Sequence, residues 1–508
     1  MAEQIKGLGE GGLNTDTPPT IVPMNVFTDV LNVRFDNSSV ETITGEVLGK
    51  VIPSAPNYGI HWRRPDQGYN IFGRDGTFVR VDSAGNQSYM LNSANPLYTN
   101  SDWQGTLFNG GYAVVINNGK STPLYCLYGS VTAGSTFQEL PGWNYSAGLT
   151  VTAKVIRSLN YSLVAANLTV TADGTTTNAP GTIRISVQAP TGDIPQVWQP
   201  GLTSDTADEF ELSSTSPILD MLDLRNNMFV YSSDSINVVS IGATTKVSPY
   251  SKSYGILNTD CVVEYDGNHF VVDRNDIYTH NGSGKIESLA YKRIKKYFFS
   301  NLNKSVIDKV HVVKNPFYKE IMINYPKGNS VVCNESLIYN YVNNTWTKRS
   351  FTNLTYSFNG PSNNSNEFQY GNEVIYYTTN TTQTLISSDV YTMWNGTSLA
   401  PYTSYVEKKK LNTGDLTGSS LISAIYTVFD SVPVDASIDI YVKGQNNYVD
   451  NITFTADDKF VFEPDNKKSQ GYKVDPRVNG RIMNFRIESS GYWTLPAYSF
   501  DVKPADRR

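Results

Sequence analysis

The sequence predicts a mainly β protein with a β-propeller core, an N-terminal arm and a C-terminal β-sandwich. Three observations predict it. Short runs alternating apolar and polar residues dominate, as in Thr77-Phe78-Val79-Arg80-Val81, Thr182-Ile183-Arg184-Ile185-Ser186-Val187 and Ser437-Ile438-Asp439-Ile440-Tyr441-Val442. Alternation at period two turns one set of side chains inward and leaves the other wet. The runs are punctuated by Asp75-Gly76, Asn109-Gly110, Asn118-Gly119, Asp173-Gly174, Asp266-Gly267 and Asn281-Gly282, dipeptides that tolerate the positive φ of tight hairpins. Strand pairs of the form apolar–turn–Ile/Val-Tyr recur at roughly 40 to 50 residues, the spacing that four-stranded blades produce.

Residues 1–50 come first. They are rich in Gly, Pro, Asn and Thr, with few apolar positions before Val26. They read as an extended arm of the kind that lies on a neighbour, followed by a short helix and a strand. The helix is expected over Pro23 to Val33, where Val26, Val30 and Val33 fall at three-and-four spacing. The propeller is expected over 51–400. Tyr69-Asn70-Ile71-Phe72-Gly73 pairs naturally with Thr77-Phe78-Val79, and Gly111-Tyr112-Ala113-Val114-Val115-Ile116 with Leu124-Tyr125-Cys126. His269-Phe270-Val271-Val272 precedes Asp276-Ile277-Tyr278, and Ser336-Leu337-Ile338-Tyr339-Asn340-Tyr341 precedes Asn343-Asn344-Thr345-Trp346. The last of these looks kelch-like, with Trp346 expected between neighbouring blades. Residues 127–190, with Ser, Thr and Gly in excess, are long for one blade and suggest an insertion. A second helical stretch is expected over Leu289 to Ser300. From about residue 401 to 508 the strands alternate again and read as a separate sandwich. Lys408-Lys409-Lys410 at its start is expected to be a solvated linker face, with a phosphate-facing role as the alternative.

Composition excludes several functions. A net charge of -6 and a pI near 5.4 argue against a sheath bound tightly to nucleic acid, which needs surplus Lys and Arg. No run approaches the roughly 18 apolar residues of a membrane span. The first residues lack the basic-then-apolar order of a secretory signal, so the chain is expected to be made and kept in the cytosol. The several Asn-x-Ser/Thr sites then reflect composition, not glycosylation. Cys126, Cys261 and Cys333 are too scattered for a disulfide framework or a cysteine zinc site. A His–carboxylate metal site is conceivable at His269 and His280 with Asp266 and Asp276, but nothing supplies a further fixed ligand. Two polar residues flanking a hairpin is the simpler reading. No nucleophile elbow, phosphate-cradling loop or His-Glu-x-x-His is present. No catalytic residue, cofactor or metal is therefore expected.

A resemblance runs through the chain in order. Gly11-Gly12-Leu13-Asn14-Thr15-Asp16-Thr17-Pro18-Pro19, then Val22 through Asp36 with Asn32-Val33-Arg34-Phe35, is similar to the start of short-tailed phage tail proteins. In those, a "G-N-T-D-x-P-P" arm leads to a helix and an "N-V-R-F" strand. Glu139-Leu140-Pro141-Gly142-Trp143, Ile194-Pro195 with Val197-Trp198, and Cys261 through Phe270 followed by Asp276 through Gly282 continue the likeness. So do Asn315-Pro316, Glu320 through Pro326, Tyr339 through Trp346, and the closing Arg481 to Ile487 with Ser490-Gly491-Tyr492-Trp493. The family resembled is the tail nozzle, or packaged-DNA stabilisation (tail accessory) protein, of podoviruses.

The resemblance implies a structural virion protein of the phage tail, assembled in the host cytoplasm. It implies a ring of six identical subunits below the head-to-tail adaptor, continuing the DNA channel, retaining packaged DNA and conducting it during ejection. Its partners are then further copies of itself, the adaptor, tail fibre or tail needle proteins, and double-stranded DNA in transit, with no membrane insertion. The arm residues Asn14, Thr15, Asp16, Pro18 and Pro19 are candidates for an adaptor or fibre contact. Candidate gate loops are Asn359-Gly360-Pro361-Ser362-Asn363-Asn364 and the turn at Asp173-Gly174. The alternative reading is a tail-associated propeller that binds or cleaves glycans. Cleavage needs two carboxylates about 5 to 10 Å apart, for which Asp220 with Asp223, or Asp273 with Asp276, are the candidates. Gly73-Arg74-Asp75-Gly76-Thr77-Phe78 is only a fragment of the repeated box that sialidase-like propellers carry.

Overall fold

The computed structural model describes residues 4–63, 68–128, 137–201, 207–212, 216–242, 245–361, 373–412, 418–433, 436–449, 452–462 and 473–505. Turn chemistry sets the hairpins. At Asp173-Gly174 φ is 48° and 80°, and at Asp266-Gly267 it is 45° and 74°. Two successive positive φ values match the right-handed twist of the flanking strands.

Successive hairpins give antiparallel four-stranded sheets in sequence order. The first blade is Tyr58–Arg63, Gly68–Arg74, Thr77–Asp82 and Gln87–Asn92. The second is Gln104–Phe108, Ala113–Asn117, Leu124–Leu127 and Gln138–Glu139. The third is Leu149–Leu159, Ser162–Ala172, Thr175–Ile185 and Asp208–Glu211. Much of the stretch expected to hold an insertion thus consists of three strands of this blade, each of 11 residues. The fourth is Ile218–Leu224, Asn227–Ser232, Ile236–Ser240 and Lys246–Ser251, and the fifth is Val262–Tyr265, Asn268–Val272, Ile277–His280 and Ile286–Ser288.

The sixth and seventh blades share a strand. Thr345–Pro361 pairs first with Cys333–Asn340, outside Glu320–Tyr325 and His311–Asn315. Beyond the irregularity at Leu354 it pairs with Glu373–Thr379, which continues through Gln383–Ser387. The fourth strand of that seventh blade comes from the other end of the chain: Glu46–Val51 lies antiparallel to Gln383–Ser387, with Glu46 opposite Ser387. The innermost strands contact one another in succession, and the last again meets Tyr58–Arg63. The ring therefore closes with no free inner edge, and a strand from near the N-terminus holds it shut.

The C-terminal strands form two further sheets. One orders Asp29–Leu31, Ser404–Asn412, Ile482–Ser489, Ile438–Gln445 and Lys459–Phe462; the other is built on Ser419–Val428 with Ala497–Ala505. Asp29–Leu31 overturns the expected helix over Pro23 to Val33. Val30 pairs with Val406 and is fully buried, and Asn32 sits at φ 54°. β-branched residues gain more from a sheet partner than from an isolated short helix. The later helical stretch shortens to the helix Lys295–Asn301, because Lys292 adopts φ 59°.

One continuous core runs from Phe270 and Trp346 in the propeller, through Phe27, Val30 and Phe35, to Phe485, Ile487 and Trp493. Trp346 is fully buried between the fifth and sixth blades, where its indole N–H donates to Leu289 O at 3.1 Å. Buried ion pairs cross the same seam. Arg34 Nε lies 2.6 Å from Glu320 Oε1, Lys348 Nζ lies 2.5 Å from Asp29 Oδ1, and Arg349 pairs with Glu46. Lys408 corrects the expected solvated lysine face. It is 1% exposed, and its ammonium donates to the carbonyls of Val22, Pro23 and Val26, while burial lowers its pKa to about 8. Its neighbours are used as well: Lys409 pairs with Glu407 at 3.0 Å and Lys410 donates to Tyr448 O. Among the described residues no helix is long and apolar enough to cross a membrane.

Candidate functional site

The innermost strands of the blades converge on the propeller axis, and one cluster of polar side chains collects there. The guanidinium of Arg157, from the third blade, donates to Asp220 Oδ1 at 2.5 Å, Gln104 Oε1 at 3.3 Å and Met221 O at 3.1 Å. Asp220 begins the fourth blade; its other carboxylate oxygen accepts the Asp260 N–H at 2.9 Å. Asp260 precedes the fifth blade, and its own carboxylate lies 3.7 Å from Arg157 Nη2 and accepts the Tyr356 hydroxyl at 3.1 Å. Tyr356, from the seventh blade, stacks at 5.0 Å on His311 of the sixth and lies 5.5 Å from Tyr58 of the first. All seven blades thus supply a side chain to this hub.

Charge here is nearly saturated. Arg157 serves two carboxylates, and burial together with the Asp220 charge raises the Asp260 pKa to about 6, against the opposing pull of Arg157 and Tyr356. Burial lowers the His311 pKa to about 4, so the ring is neutral and bonds to Ser357 and Asn324. The hub can exchange a proton at Asp260. Among the described residues no group of three metal-ligating side chains occurs. The hub acts as a latch that ties the blades together and fills the axis.

The sequence-derived candidates are scattered over the fold. Of the carboxylate pairs, Asp220 joins the hub, while Asp223 faces the other way, where its backbone carbonyl meets His269 Nε2 at 3.1 Å. Asp276 accepts from the Ile277 amide and the Ser288 hydroxyl, and Asp273 is 7% exposed with its pKa raised by burial. His269 and His280 are brought together, but not around a cation. The Tyr231 hydroxyl lies between them, 2.6 Å from His269 Nδ1 and 2.7 Å from His280 Nε2. Because His269 Nε2 donates to Asp223 O, Nδ1 must accept from Tyr231, whose oxygen then accepts from His280 Nε2. Burial lowers their pKa values to about 4 and about 3, keeping both rings neutral. The three cysteines are buried, and burial pushes each thiol up, Cys126 to about 11.

Of the gate candidates, Asn359 and Gly360 lie in the innermost strand of the seventh blade. Asn359 Nδ2 donates to Lys314 O of the sixth, and a Cβ on Gly360 would press 2.8 Å from the Tyr376 ring. Ser362, Asn363 and Asn364 lie outside the described residues. Asp173-Gly174 is the exposed tip of the long hairpin of the third blade, with nothing within 4 Å of a Cβ built on Gly174. The arm folds back on its own chain. Asn14 Oδ1 accepts from the Asp16 and Thr17 amides, Thr15 donates to Arg293 O, and Asp16 accepts the Lys296 and Tyr297 amides that open the helix. Pro18 is exposed and Pro19 opens a 3-10 turn. Sequence reasoning missed Arg157, Asp260, Gln104 and Tyr356, since no local motif marks them and they share no single position along their inner strands.

Fold and hub together define the class of the chain: a propeller closed by an N-terminal strand and fused through one core to a β-rich C-terminal region. No family model matches the chain, and neither does any curated protein. Solved structures similar to it are propeller proteins. YCF48 bound to D1 peptide is 11% identical at a TM-score of 0.39, over 70% of this chain and 97% of that one. Streptogramin B lyase is 12% identical at 0.41, over 67% and 97%. U3-55K is 6% identical at 0.39, over 68% and 98%. At these identities the likeness concerns the fold alone.

Proposed function

We propose that this protein is a structural subunit of a short-tailed phage tail nozzle, assembling as a six-fold ring below the head-to-tail adaptor. The observation that carries the reading is how residues 5–51 sew the chain together. They supply Asp29–Leu31 to a C-terminal sheet and Glu46–Val51 to the seventh blade, with Arg34, Asp29 and Glu46 in ion pairs across the seam. Such stitching suits a rigid building block that must bear the strain of packaged DNA. It also agrees with the ordered whole-chain resemblance to nozzle proteins.

The hub supports a particular placing of the DNA. Its side chains fill the propeller axis, so the duplex passes along the ring axis, between subunits. Six copies at -6 each carry -36. A wall of that sign lets a polyanion slide, whereas phosphate-binding cations add affinity and slow it. In this reading the subunit contacts the adaptor above and tail fibre or needle proteins beside or below, and catalyses nothing. The test is electron microscopy of the purified protein, alone and with isolated adaptor or tails. A six-fold ring is expected; a chain that stays monomeric and never docks on tails overturns the proposal. Polysaccharide turnover lost on Asp→Asn substitution at the hub would instead favour a glycan-cleaving propeller.

A further inference from the structure

One open cleft stands out against the acidic balance of the chain. It has a volume of about 480 Å³ and lies on the face carrying the helix Lys295–Asn301, between the fifth and sixth blades. Arg274, Lys292, Lys295, Lys296 and Lys304 line it, with Tyr291 and Phe299 between them. Among the described residues only Lys295 has a carboxylate within ion-pair distance, Asp276 at 3.7 Å. The one acid lining the cleft, Asp16, is already engaged by the Lys296 and Tyr297 amides. Tyr291 is 62% exposed. Five like charges held together in one cleft repel each other, and an opposite charge relieves them.

The chain carries the complement on its own surface. Asp208–Glu211, sequence Asp-Glu-Phe-Glu, is the outermost strand of the third blade, and among the described residues one of its backbone edges has no strand partner. Phe210 packs into the blade and Glu209 pairs with the buried Arg184 at 2.8 Å, while Glu211 is exposed and Asp208 half-buried. We propose that the cleft receives this acidic edge strand from a second copy of the chain, forming the head-to-tail interface of a closed ring. The inference rests on the ring reading and names its contact. Blades of a seven-bladed propeller stand about 51° apart, so strand and cleft lie two to two and a half blades, or about 100–130°, apart around the propeller axis. The two neighbours of a subunit in a six-membered ring are separated by about 120°, which fits if the propeller axes run along the ring axis.

The test uses full-length protein and charge exchange. Association is measured by sedimentation at low and high salt for wild type, for Lys292→Glu/Lys296→Glu/Lys304→Glu, for Asp208→Lys/Glu211→Lys, and for an equimolar mixture and a chain combining both sets. Each reversed set alone is expected to weaken association roughly tenfold or more, because like charges then face each other across the contact. The combined chain is expected to regain it, and added salt to weaken wild type. Circular dichroism checks that every variant folds. A ring that forms equally well with either set reversed overturns this contact while leaving the nozzle reading intact. A wild-type chain that associates neither alone nor on tails overturns both. Binding of a short DNA duplex that the lysine variant loses, with its assembly unchanged, would assign the cleft to phosphate and also overturn the contact.

Discussion

Replacing Arg34 by methionine removes one partner from a pair that joins the N-terminal segment to the sixth blade. Arg34 is 2% exposed and Glu320 is 1% exposed. Two hydrogen bonds link them, Nε to Oε1 at 2.6 Å and Nη2 to Oε2 at 3.2 Å, and the guanidinium lies 3.3 Å from the centre of the Tyr318 ring. Methionine keeps much of the stem but leaves Glu320 as an uncompensated charge, which costs about 3–5 kcal/mol at buried sites. The double change Arg34→Met/Glu320→Leu removes both charges and is expected to be neutral or stabilising by about 1–4 kcal/mol relative to wild type. The assay is urea unfolding followed by tryptophan fluorescence, paired with limited proteolysis to report release of the N-terminal segment. The single variant should lose stability and expose that segment, and the double variant should reverse both effects. A loss under about 1 kcal/mol for Arg34→Met, or no recovery in the double variant, would refute the claim that this pair is a buried clamp whose balance matters.

Other predictions concern the interior. Tyr231→Phe leaves His269 Nδ1 and His280 Nε2 without their shared hydroxyl, and should cost about 1–3 kcal/mol in unfolding free energy. The histidines at 61, 269, 280 and 311 have folded pKa values lowered to between about 3 and about 4 by burial. The unfolded chain therefore takes up protons first, and their contribution to stability, full above about pH 6.5, should be lost as pH falls through about 4. Asp260 runs the opposite way. With its folded pKa raised to about 6, its contribution is full below the ordinary Asp value and declines as pH rises through 6. The melting-temperature gap between Asp260→Asn and wild type should therefore narrow from pH 7 to pH 5, and a constant gap would count against that shift. Trp346→Ala empties a fully buried site between two blades and should cost about 3–5 kcal/mol in the same unfolding assay.

The sequence by itself determined the local structure. Period-two runs and Asp-Gly or Asn-Gly turns act within a few residues, so the strands of the first, fifth and sixth blades, and Trp346 between blades, were legible. The tertiary structure decided what depends on distant partners. The His269–His280 pair reads in the sequence as polar residues flanking a hairpin, yet both rings are buried around the Tyr231 hydroxyl, a partner 38 and 49 residues away that no local window shows. Val26 to Val33 has a helical spacing, yet Val30 lies opposite Val406, and a backbone pairing 376 residues away cannot be read from an eleven-residue window. Lys408 looks like surface, yet three carbonyls from residues 22–26 bury it. The hub is the clearest case. Arg157, Asp220, Asp260 and Tyr356 are unremarkable residues in four different blades, and ring closure alone brings their charges to one axis.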